Sequence, residues 1–119
     1  MEAIRVKRVY EAPEAADGSR ILVDRLWPRG LTKAKAGIDL WLKDIAPSDA
    51  LRRRVHAAPD KWDEFIAAYR RELEREPALA AVEELREWIG GGPVTLLYAS
   101  RNEDRNNATV LRDWLLEAG

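Results

Sequence analysis

A chain of 119 residues is long enough for one domain with a real core and too short for two ordinary ones. With no cysteine and a single histidine, His56, disulfide scaffolds, thiolate nucleophiles and Cys- or multi-His-ligated metal centres are excluded, leaving carboxylates as the remaining metal option. Twenty basic against twenty-one acidic residues give a net charge of −1, which argues against a generic nucleic-acid binder, while fifteen Arg, five Lys and five Trp mark the composition.

The opening Met1-Glu2-Ala3-Ile4-Arg5 lacks a basic stretch followed by an apolar one, so no signal peptide is expected. No apolar run approaches the ~20 residues of a membrane span. A cytoplasmic protein is the expectation. Alternation of Ile4, Val6 and Arg8 with Arg5, Lys7 and Val9, followed by Tyr10, predicts a first strand. Residues 11–19 (EAPEAADGS) read as a loop holding the Asp17-Gly18 turn. The apolar run Arg20-Ile21-Leu22-Val23-Asp24 predicts a strand buried on both faces, ended by Pro28 and Gly30.

Residues 38–45 fit two periods. Ile38, Leu40 and Leu42 alternate as in a strand, whereas Ile38, Trp41, Leu42 and Ile45 satisfy helical spacing; Gly37 and Ala46-Pro47 bound the segment, which favours a short strand. Ser48 is placed to cap a helix carrying Leu51 and Val55, with Arg52, Arg53 and Arg54 on its outer surface. Trp62, Phe65, Ile66, Tyr69 and Leu73 stripe the next helix, with Asp60 as its cap and Lys61, Glu64, Arg71 and Glu72 on the opposite face. Pro77 opens a helix striped by Leu79, Val82, Leu85 and Ile89 and closed by three glycines. Residues 94–99 (VTLLYA) predict the clearest strand, and a last helix runs from Asn107 with Asn106 as N-cap and Ala108, Leu111, Leu115 and Ala118 inward.

Apolar strands interleaved with amphipathic helices predict a single small α/β domain with a mainly parallel sheet of three to four strands flanked by about five helices. About ten residues join the first two strands, near the minimum for a crossover, so an antiparallel hairpin stays open there.

In a parallel sheet, ligands bind outside the carboxyl ends of the strands. Residues that follow the strands are Arg8 and Tyr10; Asp24, Arg25, Trp27 and Arg29; Lys43 and Asp44; and Ser100, Arg101, Asn106 and Asn107 at a helix N-terminus. Several cations and one helix dipole end favour an anion there, and the planar fork of Arg suits phosphate or carboxylate. Plainer roles stand beside these. Asp24 with Arg25 or Arg29 reads equally as an ion pair anchoring a loop, Asn106 as a cap, the arginine triplet as a solvated face, and His56 as a helix-end cation. Trp62 and Trp88 read as core, whereas Trp27 can either line a pocket or pack.

The string Val23-Asp24-Arg25-Leu26-Trp27-Pro28-Arg29-Gly30 resembles the signature of the YeaO-like branch of the domain-of-unknown-function 488 family. Residues 41–48 (WLKDIAPS), His56 with Trp62, Phe65 and Tyr69, residues 95–99 (TLLYA), and Asn106-Asn107-Ala108 with Leu111 extend the resemblance in order along the chain. It implies no assigned activity. Longer members of the wider group carry cysteines after the last strand, where this chain has Tyr98, Ala99 and Ser100, and a Cys-His pair near the place of Asn106 and Asn107, so no thiol or metal chemistry transfers. Related sequences labelled as MarR-type regulators find no counterpart in a basic recognition helix here.

The leading expectation is a protein that binds, and can turn over, a small anionic, phosphorylated or nucleotide-like ligand. Arg8, Arg25, Trp27, Arg29, Ser100, Arg101, Asn106 and Asn107 would hold it, with Asp24 as acid or base and Lys43 as a second catalytic cation. No metal or cofactor is implied, and no Gly-x-Gly-x-x-Gly or Walker loop is present. The alternative is a nucleic-acid-binding or protein-interaction module. Residues 1–59 hold twelve basic and eight acidic side chains and residues 60–119 eight and thirteen, so a basic N-terminal half exists, with Trp27 and Tyr10 as stacking groups.

Overall fold

Four strands form one fully parallel sheet in the order β1-β4-β2-β3: β1 (Ile4–Arg8), β2 (Ser19–Leu22), β3 (Leu40–Trp41) and β4 (Val94–Tyr98). This computed structural model describes residues 4–118, the side chain of Ala118 lying outside the described residues. Five α-helices accompany the sheet among those residues: α1 (Lys33–Ala36), α2 (Asp49–Ala57), α3 (Trp62–Leu73), α4 (Ala78–Gly90) and α5 (Asn107–Ala118).

Every residue of β4 is buried, as its apolar run requires of a central strand covered on both sides. Pairing puts Val6, Leu96 and Ile21 in one row and Lys7, Leu97 and Leu22 in the next. The first row belongs to the main core with Phe65, Tyr69 and Leu73 of α3, Val82 and Leu85 of α4, and Leu111 and Leu115 of α5. Leu22 and Leu97 join a smaller core with Val9, Ala36 and Ile38, against which Trp27 and Trp41 pack. Trp62, Trp88 and Trp114 pack against the main core as partly buried side chains.

The connection from β1 to β2 is a crossover. Both strands pair with β4 and run parallel to it, so the hairpin alternative is ruled out. A buried ionic cluster holds this connection: Arg20, 3 % exposed, donates from Nη1 to Asp17 Oδ2 at 2.6 Å and from Nη2 to the Ala36 carbonyl at 2.8 Å. Lys7 Nζ reaches Glu14 at 2.8 Å and both Asp17 oxygens at 3.2 Å. Arg20 begins what reads in sequence as an apolar run, and its burial is sustained by these partners.

Three local expectations need correction. Residues 38–45 are neither an eight-residue strand nor a helix: β3 has two residues and a 3-10 turn, Lys43–Ile45, follows. Asp60 does not cap α3, because Pro59–Lys61 form a 3-10 turn leading into it and no side chain caps that helix. Glu72 is not on a purely solvated face. It accepts from the Ser48 N–H at 2.9 Å and the Ser48 hydroxyl at 2.6 Å, while Ser48 Oγ caps α2 by accepting from the Leu51 N–H. Asn106 caps α5 as its sequence position predicts, Oδ1 accepting from the Thr109 N–H at 2.9 Å.

Candidate functional site

Beyond the carboxyl ends of β2 and β4 the chain departs in opposite directions, from β2 towards neighbouring β3 and from β4 into α5, which packs on β1 and β4. Parallel sheets take ligands where neighbouring connections diverge in this way. Asp24 stands at that divergence, partly buried. Its Oδ2 accepts from the Ala99 N–H at 2.9 Å and its Oδ1 from the Asn107 side-chain amide at 3.1 Å, which also donates to the Val23 carbonyl at 2.9 Å. Burial pushes the Asp24 carboxyl above the usual carboxylate range, against the opposing pull of those two donors. The Asp24 carbonyl accepts from Trp41 Nε1 at 2.7 Å. Asp24 therefore joins the end of β2 to the start of the loop after β4 and to the first turn of α5.

The arginines divide into anchored and free. Arg8 donates to the Ser100 and Ala99 carbonyls at 2.9 and 3.0 Å and lies over the Tyr10 ring, 5.0 Å from its centroid. Arg25 donates to the Pro47 and Ala46 carbonyls, both at 3.2 Å. Arg29 and Arg101 are exposed, and the Arg29 carbonyl accepts from the Tyr10 hydroxyl at 3.1 Å. Lys43 is exposed over the Trp41 ring, 5.1 Å from its centroid. Among the described residues none of these five cations forms an ion pair. The expected pairing of Asp24 with Arg25 or Arg29 is thus replaced by amide donors, since the Arg25 guanidinium is taken up by the turn before α2.

The remaining predicted residues have defined local tasks. Trp27 donates from Nε1 to the Leu31 carbonyl at 2.7 Å and meets Trp41 edge-to-face at 5.4 Å. Ser100 is exposed and its Oγ accepts from the Asn102 N–H at 3.2 Å. Asn106 is buried, its amide donating to the Asn102 carbonyl at 2.9 Å. The edge is held as much by the carbonyls of Ala46, Pro47, Ala99 and Ser100 as by side chains, and backbone groups leave no residue-type signal in a sequence. His56 is exposed in the last turn of α2. Among the described residues no group of three His, Cys, Asp or Glu side chains is arranged to hold a metal ion, and no helix is long and apolar enough to cross a membrane.

Comparison with known proteins bears on this edge. A family model described as "Inactive DUF488-N3 subclade" matches residues 3–119. The chain is 44 % identical over 112 residues to "Uncharacterized protein Rv3073c" of Mycobacterium tuberculosis, covering 94 % of this chain and 92 % of that one. It is 42 % identical over 112 residues to "Uncharacterized protein YeaO" of Escherichia coli, covering 94 % and 96 % respectively. No solved structure matches it.

Proposed function

The chain belongs to the inactive DUF488-N3 subclade of the DUF488 family, and we propose that it binds a small anionic, phosphorylated or nucleotide-like ligand without transforming it, at the carboxyl edge of its sheet. The observation that carries this reading is the absence of ion pairing at the cations of that edge among the described residues. Arg8 and Arg25 are fixed only by neutral carbonyls, and Arg29, Lys43 and Arg101 are exposed without carboxylate partners among the described residues. Arg29 and Arg101 are the direct contacts, Lys43 a rim cation, and the start of α5 adds backbone donors and its dipole. Arg8 and Arg25 contribute a fixed positive field. Ser100, Asn106 and Asn107 shape the loop, and Trp27 walls it.

Binding without turnover fits the description of the subclade as inactive and the engagement of the proposed catalytic groups. Both Asp24 oxygens accept intramolecular hydrogen bonds, and the Ser100 hydroxyl shows no neighbouring base among its hydrogen bonds.

Calorimetric titration of the intact protein with inorganic phosphate and with adenosine monophosphate tests the reading. Saturable binding of either is expected, weakened about tenfold or more by Arg29→Ala and by Arg101→Ala, as loss of a charge-assisted hydrogen bond implies. Neither variant should shift the urea midpoint, because both side chains are exposed. No saturable binding, or binding indifferent to both variants, would sink the proposal. A single-stranded oligonucleotide that binds with steep salt dependence and is not displaced by phosphate would favour the nucleic-acid reading instead.

A further inference from the structure

A concavity lies away from Asp24, along the outer strand β1, between α3, α5 and the loop after β4, with a volume of about 390 Å³. Val6, Trp62, Ile66 and Val110 supply an apolar floor. Phe65 stacks on Trp62 with ring centroids 4.7 Å apart, which fixes the indole in place. Tyr98, the last residue of β4, also lines the cleft; it is 3 % exposed, and among the described residues its hydroxyl has no hydrogen-bond partner. The ring is buried, while the hydroxyl itself opens to the cleft.

The cleft's charges are unbalanced. Its three cations are ion-paired: Lys7 with Glu14 and Asp17, Arg70 with Glu117 at 2.9 Å, and Arg112 with Asp113 at 3.1 Å. Of their buried nitrogens only Arg70 Nε is left without a partner among the described residues. Glu103 and Asp104 are exposed at the cleft with no salt-bridge partner among the described residues, and the Glu11 carboxylate accepts only from the Arg8 backbone N–H, at 3.2 Å. Burial and the nearby Glu103, Glu11 and Asp104 carboxylates raise the Tyr98 phenol above its ordinary value against the opposing pull of Arg8, so it stays neutral, with lone pairs to offer.

We propose that this cleft binds a primary alkylammonium ion: the ammonium group donates to the Tyr98 hydroxyl and sits between Glu103 and Asp104, while its methylene stem lies on Trp62 and Ile66. The apolar floor selects a cation with a hydrocarbon body over a bare metal ion. The anionic rim of Glu103 and Asp104 disfavours a carboxylate-bearing ligand.

Cadaverine is a suitable probe, titrated into the intact protein while two-dimensional NMR follows the tryptophan indole signals. Saturable binding with a shift of one indole resonance is expected, together with about fivefold weakening by Tyr98→Phe, which removes only the hydroxyl. Glu103→Gln combined with Asp104→Asn should weaken binding by a further tenfold or more. Spermidine should compete and sodium pentanoate should not. The proposal is overturned if cadaverine does not saturate, if Tyr98→Phe binds as the parent does, or if Glu83→Gln with Glu84→Gln on the exposed face of α4 weakens binding equally. Because phosphate binding depends on Arg29 and Arg101, the two sites fail or succeed separately.

Discussion

Two aspartates respond to burial in opposite directions. At Asp17, burial alone raises the carboxyl pKa, but the Glu14 backbone N–H, Arg20 and Lys7 outweigh it and hold the group below the usual range. Its stabilisation is therefore present above the ordinary value of 3.8 and lost as pH falls through the lowered folded value. Asp24 is raised instead, so its proton-linked contribution is present below 3.8 and lost as pH rises through the raised folded value. Urea midpoints measured between about pH 3 and pH 7 should separate the two. Asp17→Asn should cost about 3 kcal/mol or more near neutrality, because the buried Arg20 is left without its carboxylate and Lys7 keeps only that of Glu14, and that cost should shrink on acidification. Asp24→Asn should show the reverse: the parent gains stability over this variant as pH drops towards 3.8. Equal slopes in all three proteins would refute both assignments.

Between elements, single side chains join what the chain separates. Ser48 was readable as a cap because it precedes the helical stripe of Leu51 and Val55, but nothing in the spacing of Glu72 announced that it would close on Ser48 from α3. Ser48→Ala and Glu72→Ala should each lower stability by about 1–2 kcal/mol, and the double variant should cost less than their sum, since one bond is shared. Strict additivity in urea unfolding would show that the contact contributes nothing. Gly18 marks another junction. Its φ of +63° and the Pro93 carbonyl, into which a Cβ would collide, leave room for glycine alone where Ser19 begins β2. Gly18→Ala should therefore destabilise by about 1–3 kcal/mol from backbone strain, with displacement of Pro93 added.

For the whole molecule, the sheet has two covered faces of unequal depth. Leu96 faces the large helical core and Leu97 the small one walled by Trp27 and Trp41, yet each is fully buried. Both Leu96→Ala and Leu97→Ala should cost about 2–5 kcal/mol in equilibrium unfolding. A near-neutral Leu97→Ala would mean that the second face is open. The contrast between a basic first half and an acidic second half does not become two lobes, because β4 of the second half inserts between β1 and β2 of the first. Folding mixes the halves: Arg101 joins Arg8, Arg25, Arg29 and Lys43 at the carboxyl edge of the sheet, whereas Glu11 joins Glu103 and Asp104 at the cleft beside β1.

Neighbouring residues were enough to announce β1, β2 and β4, the stripes of α3, α4 and α5, and the caps at Ser48 and Asn106. Periodicity, capping and turn formation act over a few residues, and local composition records them. Other features depended on the insertion of β4. Asp24 meets an asparagine 83 positions away and Arg8 a carbonyl 92 positions away. The buried Arg20 and the vacant hydroxyl of Tyr98 likewise take their meaning from which segments the sheet brings alongside. Such pairings are set by strand order, which no local pattern encodes.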